Sequence, residues 1–308
     1  AFRWIVGLFR SKKNPDAQTD RVVVVGFDGM DPRVTDRLMA QGKLPNFQRL
    51  GEVGTYERLN STCPPISPIA WSTFATGANP GKHNIFDFLR RKPRSYEEDL
   101  SSTQIQGTPR SLNIGKYSIP LGQPKVASLQ KSKPFWHVLG EEGIFSAALR
   151  IPVTYPATEF NGLCLSGMCV PDILGTQGTF AYYTTDSDEI ASYESGMAVE
   201  LEKDGDSYRA EMVGPPNPLV PDETMTVPVR IIPNEYGSAR LTVDGDTVHL
   251  HKEEYTDWVS VTFDGSLWFD VDGICRFYLI ETEPELRLYQ TPINIDPDNP
   301  RVPLAHPL

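Results

Sequence analysis

The stretch RVVVVGFDGMDP, Arg21 to Pro32, decides how this chain reads. Four consecutive valines bounded by Arg21 and Gly26 predict a strand buried on both faces, the kind found inside parallel sheets. An acid stands at the end of that strand. Asp28 occupies the carboxyl end, where open α/β sheets place their ligands, and Gly29 allows a sharp turn beneath it.

Working outward, Asp36 to Leu50 reads as a helix, and the chain then returns through CPPISPIAWSTFATGANPGKHNIFDF, Cys63 to Phe88. Pro64 and Pro65 precede Ser67, and the apolar run Ile69 to Phe74 follows it, closing at Thr76 and Gly77. A hydroxyl at a helix N-terminus is a candidate nucleophile, because backbone N–H groups and the helix dipole favour an incoming anion there. The plainer alternative is that Ser67 only caps the helix, a position Ser favours. Ser61, Thr62 and Ser72 are the neighbouring hydroxyls, and Ser72 falls within the helical run.

The string GFDGMDP, followed by P-x-S-P-x-A-W-S-T-F-x-T-G-x-N-P-G-K-H, resembles the type I phosphodiesterase and nucleotide pyrophosphatase family of the alkaline phosphatase superfamily. The resemblance is strong over Arg21 to Phe88 and weaker over Lys133 to Asp186, where IPVTYP and SGMCVPD are similar to family segments. It implies an α/β fold, an alkaline-phosphatase-like mostly parallel sheet with flanking helices, here with a β-rich insertion. It implies metal-dependent hydrolysis of phosphoric esters with two divalent ions, zinc by expectation. Asp28 matches the first metal-ligand aspartate, and Ser67 matches the Thr or Ser nucleophile, itself a metal ligand. The pyrophosphatases carry Thr-Phe-Pro-Asn where this chain has Ser67, Pro68, Ile69 and Ala70, so the asparagine that helps hold phosphate is missing. The family's further Asp and His ligands have no counterpart: His83, His137, His249, His251 and His306 neither directly follow an Asp nor sit four residues after one. The chain therefore reads as the N-terminal portion of a longer hydrolase whose missing C-terminal half supplies the remaining ligands, or as a degenerate relative. As given, it is expected to bind metal weakly and to hydrolyse little. The sulfatase Cys-x-Pro-x-Arg signal is absent.

A chain of 308 residues with 39% hydrophobic residues can bury a real core. Its formal net charge of −11 argues against nonspecific binding of nucleic acid. The charge is uneven: residues 82–133 hold ten Lys/Arg against four Asp/Glu, and residues 186–290 hold seven against twenty-three, so two segments differ in character. Cys63, Cys164, Cys169 and Cys275 fit no zinc or disulfide spacing and read as free buried thiols. No run reaches the length of a membrane span. Residues 1–13 place Phe2, Ile5, Leu8 and Phe9 at helical spacing beside Arg3, Arg10, Lys12 and Lys13, a basic segment that could rest on a membrane surface, dock on the protein, or be a trimmed leader. The compartment stays open, cytoplasmic or membrane-peripheral.

Four segments follow: a basic N-terminal segment (1–20), the α/β hydrolase portion (21–186), an acidic β-rich insertion (187–290), and a Pro-rich linker (291–308). Within the second, residues 90–133 read as a long covering loop whose basic residues either face an anionic substrate or only aid solubility. A helix (Lys133 to Gly143) and strands (Ile144 to Ile151, Gly162 to Met168) lead into VPDILGTQGT, whose glycines either present N–H groups to an anion or simply turn the chain. From Tyr182 the apolar period becomes two, with Asp-Gly hairpin signals at 204/205, 244/245, 264/265 and 272/273. His249 and His251 share a strand face near Asp244 and Asp246, a weak metal pattern that ordinary hairpins also show. Two functions remain: a hydrolase acting on a small phosphoester through Ser67, or a non-catalytic module that uses the acidic β insertion to hold a partner.

Overall fold

The computed structural model describes residues 19–92, 95–107, 110–122, 125–220, 223–234, 236–265 and 269–307; the basic amphipathic segment lies outside them. The chain divides into two compact units, one formed by Ala1–Thr103, Ser128–Met168 and Ala305–Leu308, the other by Gln104–Ala127 and Cys169–Leu304.

The first unit holds the helices Pro32–Ala40, Pro45–Val53, Ser67–Thr76, Pro80–His83 and Phe135–Glu141. The single helix expected over Asp36 to Leu50 is two, because Gly42 takes a left-handed φ of 69° and Pro45 starts afresh where its missing N–H costs nothing. Ser146–Ile151 runs parallel to Gly162–Ser166, which pairs antiparallel with Ala305–His306. Ala75, Trp136 and Ala148 form a small core, with Ile151 and Phe160 against it.

The expected alkaline-phosphatase-like parallel sheet is not what forms. Strands outnumber helices among the described residues, and they lie in small, mostly antiparallel sheets. Val22 to Val25 is no strand: these residues are 62–74% exposed and pair with no described strand. Valine favours extended backbone, but a strand exists only when a neighbour accepts its ladder of hydrogen bonds. Residues 90–133 are likewise not a structureless loop. They contain short antiparallel pairs, Leu89–Arg91 with Glu98–Leu100 and Ser111–Ile114 with Tyr117–Pro120, and strand Thr103–Gln106 is bonded to Lys125–Ser128.

The second unit carries the larger core. Strands Glu202–Asp204, Ser207–Pro216, Thr224–Pro233, Ala239–Val243 and Asp246–Leu250 form a five-stranded antiparallel meander. Period two shows directly in Thr224–Pro233, where Met225, Val227, Val229 and Ile231 are buried and their neighbours exposed. Each such side chain contributes about 1.5–3 kcal/mol by leaving water. Val259–Asp264, Asp270–Cys275 and Asn294–Ile295 make a second sheet. A third orders Met197–Glu200, Ala181–Thr184, Arg287–Gln290 and Phe277–Glu281, its first pair parallel. Asp204 and Asp244 do sit at hairpin turns, Asp244 and Gly245 both at positive φ as the tight turn requires. The Asp272-Gly273 pair instead lies inside a strand. A Cβ on Gly273 would come within 2.6 Å of Ile293 Cγ2, so this glycine serves close packing, not a turn. The Pro-rich tail is no free linker either, since Ile293 is buried and both Asn294–Ile295 and Ala305–His306 join sheets.

Candidate active site

The site is built where the segment after the valines meets the helix Ser67–Thr76. Gly29 takes a φ of 66°, turning the chain between Asp28 and Asp31. Asp31 then caps the helix Pro32–Ala40 by accepting from the backbone N–H groups of Arg33 (2.7 Å) and Val34 (3.4 Å). The Arg33 side chain also donates to Asp31, and these bonds hold its carboxyl down at a pKa of about 2. Asp31 is thereby committed to structure, and Asp28 is left facing out.

Ser67 is the first residue of its helix and does not cap it; Ile66 occupies the cap position and provides no side-chain bond. The hydroxyl turns instead to Asp28, donating at 3.1 Å to Oδ1 and 3.2 Å to Oδ2. The other hydroxyls are placed differently. Thr62 Oγ1 donates to the Pro64 carbonyl at 2.9 Å, and Ser72 is fully buried in the helix. The helix entrance offers fewer donors than expected, because Pro68 has none and the Ile69 and Ala70 N–H groups bond back to the Ile66 carbonyl.

Trp71 is a further member that sequence reading passed over. Its indole Nε1 donates to Asp28 Oδ1 at 3.4 Å, and its ring lies on Gly26, where a Cβ would stand 2.3 Å from Cη2. The signal was the spacing: Trp71 follows Ser67 by four residues and so shares its helix face. Trp71, Phe74, Phe135 and Trp136 contact edge to face at 5.1–5.8 Å, which fixes the helix behind the site. His83 is structural. It is buried, its Nδ1 accepts from the Ile85 N–H at 3.2 Å, and its Nε2 lies 3.0 Å from Thr73 Oγ1. Nδ1 must then be unprotonated, and burial lowers the ring's pKa.

The glycine-rich loop does not present itself to an anion. Buried Asp172 accepts from the Thr176 N–H (2.8 Å), the Thr176 hydroxyl (2.5 Å) and the Thr179 N–H (2.8 Å), so a carboxylate of the chain already fills that role. His249 and His251 are exposed, and Asp244 accepts from the Thr262 N–H instead of joining them. Among the described residues no three His, Cys, Asp or Glu side chains converge on a possible metal position. No disulfide joins the four cysteines to one another; Cys164, Cys169 and Cys275 are buried as expected, but Cys63 is exposed.

The profile of the type I phosphodiesterase / nucleotide pyrophosphatase family matches residues 22–206, which span Asp28, Ser67 and Trp71. The chain belongs to this family. Its members are hydrolytic enzymes, and phosphodiesterase or pyrophosphatase chemistry is the activity the family suggests. No curated protein matches the chain, and no solved structure does. Among the described residues no helix is long and apolar enough to cross a membrane.

Proposed function

We propose that this protein hydrolyses a small phosphoric ester with Ser67 as nucleophile and Asp28 as the group that orients it. The observation that carries the reading is the placement of Ser67 Oγ within hydrogen-bond reach of both Asp28 oxygens, at the start of a helix and open to solvent on one side. Trp71 steadies the carboxylate from behind, so the hydroxyl and the acid keep one geometry while a substrate arrives. The helix N-terminus adds a positive dipole end suited to a phosphoryl group.

The donor set also fits part of a divalent site. The Asp28 carboxylate and the Ser67 oxygen are adjacent hard donors of the kind zinc or magnesium takes, and they would form one edge of its coordination shell. Such an ion, when bound, lowers the pKa of the seryl hydroxyl and neutralises charge on the phosphoryl oxygens. A complete zinc site takes three or four protein ligands, so Asp28 and Ser67 would need others beside them.

The test combines turnover and trapping. Intact protein is incubated with an aryl phosphodiester and zinc, turnover is followed by release of the phenol, and acid-quenched samples are mapped by peptide mass for a phosphoryl group on Ser67 that still carries the substrate's second ester substituent. Ser67→Ala should lose both the adduct and at least about a thousandfold of turnover. Its stability should fall by no more than about 1 kcal/mol, since a solvent-facing hydrogen bond is all that goes. A folded Ser67→Ala protein with near wild-type turnover would sink the assignment and turn attention to Thr62.

A further inference from the structure

Arg276 stands out in the acidic second unit. Arg287 meets Glu189 and Glu281, and Arg209 meets Asp204, yet no carboxylate among the described residues pairs with Arg276. Its guanidinium is nevertheless fixed. Nε donates to the Thr256 carbonyl at 2.6 Å, and Thr256 is itself held by N–H and hydroxyl bonds to Phe277. The Arg276 N–H donates to Thr291 Oγ1 at 2.9 Å. The ring of Tyr255 lies 5.2 Å from Cζ and that of Trp258 5.8 Å, so two aromatic walls hold the cation while, among the described residues, no side chain or carbonyl bonds its terminal nitrogens. Both walls face water: Tyr255 is 50% exposed and Trp258 56%.

The walls begin a longer strip. Tyr278, Tyr289 and Tyr182 are in register across three neighbouring strands, so their side chains share one sheet face; Tyr182 is buried there beneath Tyr193, stacked on it at 4.9 Å, which leaves Tyr193 as the outer ring. Ring contacts run from Tyr255 to Tyr278 (4.8 Å) and Tyr289 (6.4 Å), then through Phe180 (5.4 Å) to Tyr193 (6.5 Å). Aromatic rows ending in a fixed cation mark a recognition surface, because they offer apolar area at little entropic cost.

We propose that this strip binds a largely neutral oligosaccharide carrying a single uronate, with Arg276 taking its one carboxylate and the aromatic row taking the apolar faces of the neighbouring neutral sugar rings. The carboxylate matches the terminal guanidinium nitrogens bidentately, as one anion for one fork. A saturated ring with C–H bonds on one face and hydroxyls at its rim matches tyrosines that present a π face and a polar tip. A polyanion such as single-stranded nucleic acid also stacks on aromatics, but it needs a positive groove along its backbone. Here residues 186–290 carry seven Lys/Arg against twenty-three Asp/Glu.

The test is independent of Ser67 chemistry. Intact protein is titrated calorimetrically with a glucose hexamer bearing a single glucuronate unit, the unmodified neutral glucose hexamer and a single-stranded DNA oligomer, and the melting temperature of each variant is measured alongside. The uronate should bind, and at least tenfold more tightly than the neutral hexamer. Arg276→Lys keeps the charge but loses the fork, and Trp258→Ala removes an exposed wall; each should weaken uronate binding at least tenfold with an unchanged melting temperature. Tyr255→Ala should do the same and decides the matter should Arg276→Lys prove unstable. No uronate binding, binding unaltered in Trp258→Ala and Tyr255→Ala, or DNA binding as tight as the uronate's would each overturn the proposal.

Discussion

A methyl group on Gly26 tests the packing that holds the candidate site. It would sit 2.3 Å from Trp71 Cη2, 2.9 Å from Cζ3 and 3.5 Å from Cζ2. Carbon atoms rest at about 3.5–4.0 Å, so the indole must retreat by about 1 Å. Gly26 does not adopt a positive φ, so the cost is crowding and not backbone strain. The Trp71 Nε1 bond to Asp28, already 3.4 Å long, would not survive that retreat. Overpacking of this kind costs about 1–3 kcal/mol, and we expect about 2 kcal/mol for Gly26→Ala. The assay is thermal unfolding of Gly26→Ala in the native background and in Trp71→Leu, which lacks the six-membered ring that the methyl strikes. A cost of about 2 kcal/mol should appear in the first and less than about 0.5 kcal/mol in the second, a coupling typical of touching residues. An equal cost in both backgrounds would refute the claim that Trp71 lies on Gly26.

Asp172→Ala should destabilise the protein by about 2–3 kcal/mol, because it strips the Thr176 and Thr179 N–H groups of a buried acceptor; denaturant unfolding measures it, and a change below about 0.5 kcal/mol would mean the loop is satisfied otherwise. His83 sets a pH dependence. Its folded pKa lies below the ordinary 6.5, so the folded state binds fewer protons, and stability rises with pH. The contribution is full above 6.5 and is lost as pH falls toward the folded value. In melts between pH 7.5 and 5, His83→Gln should flatten that slope, and an unchanged slope would assign it to carboxylates.

Parts of this architecture were legible in the residues. The alternation through Thr224–Pro233 predicts strands because each apolar residue has a core to enter and each polar one has water. The same logic overreached at Val22 to Val25, where composition reports a preference for extended backbone but not whether a neighbouring strand exists. Asp272-Gly273 misled for a related reason: the pair reads as a turn, yet Gly273 answers to Ile293, twenty residues on, and such demands leave no local trace. At the site, Asp28 and Ser67 were found through motif resemblance, and the structure does bring them together. Trp71 was within reach by helical spacing. Asp172 was not, since nothing in VPDILGTQGT says that its own acid fills the loop.

The route of the chain has a practical consequence for dissection. It leaves the first unit at Thr103, comes back at Ser128, leaves again at Met168 and returns for Ala305–Leu308. No single proteolytic nick can therefore release either unit as a continuous piece. A truncation after Met168 would retain the excursion Gln104–Ala127 but delete what anchors it, including the Leu219 carbonyl that accepts from Ser118 and the Glu223 carboxylate that meets Lys116. It would also remove Ala305–His306, leaving Gly162–Ser166 with an unpaired edge open to aggregation. A fragment that isolates the Asp28 and Ser67 neighbourhood needs the excursion Gln104–Ala127 replaced by a short connector and the strand Ala305–His306 grafted back.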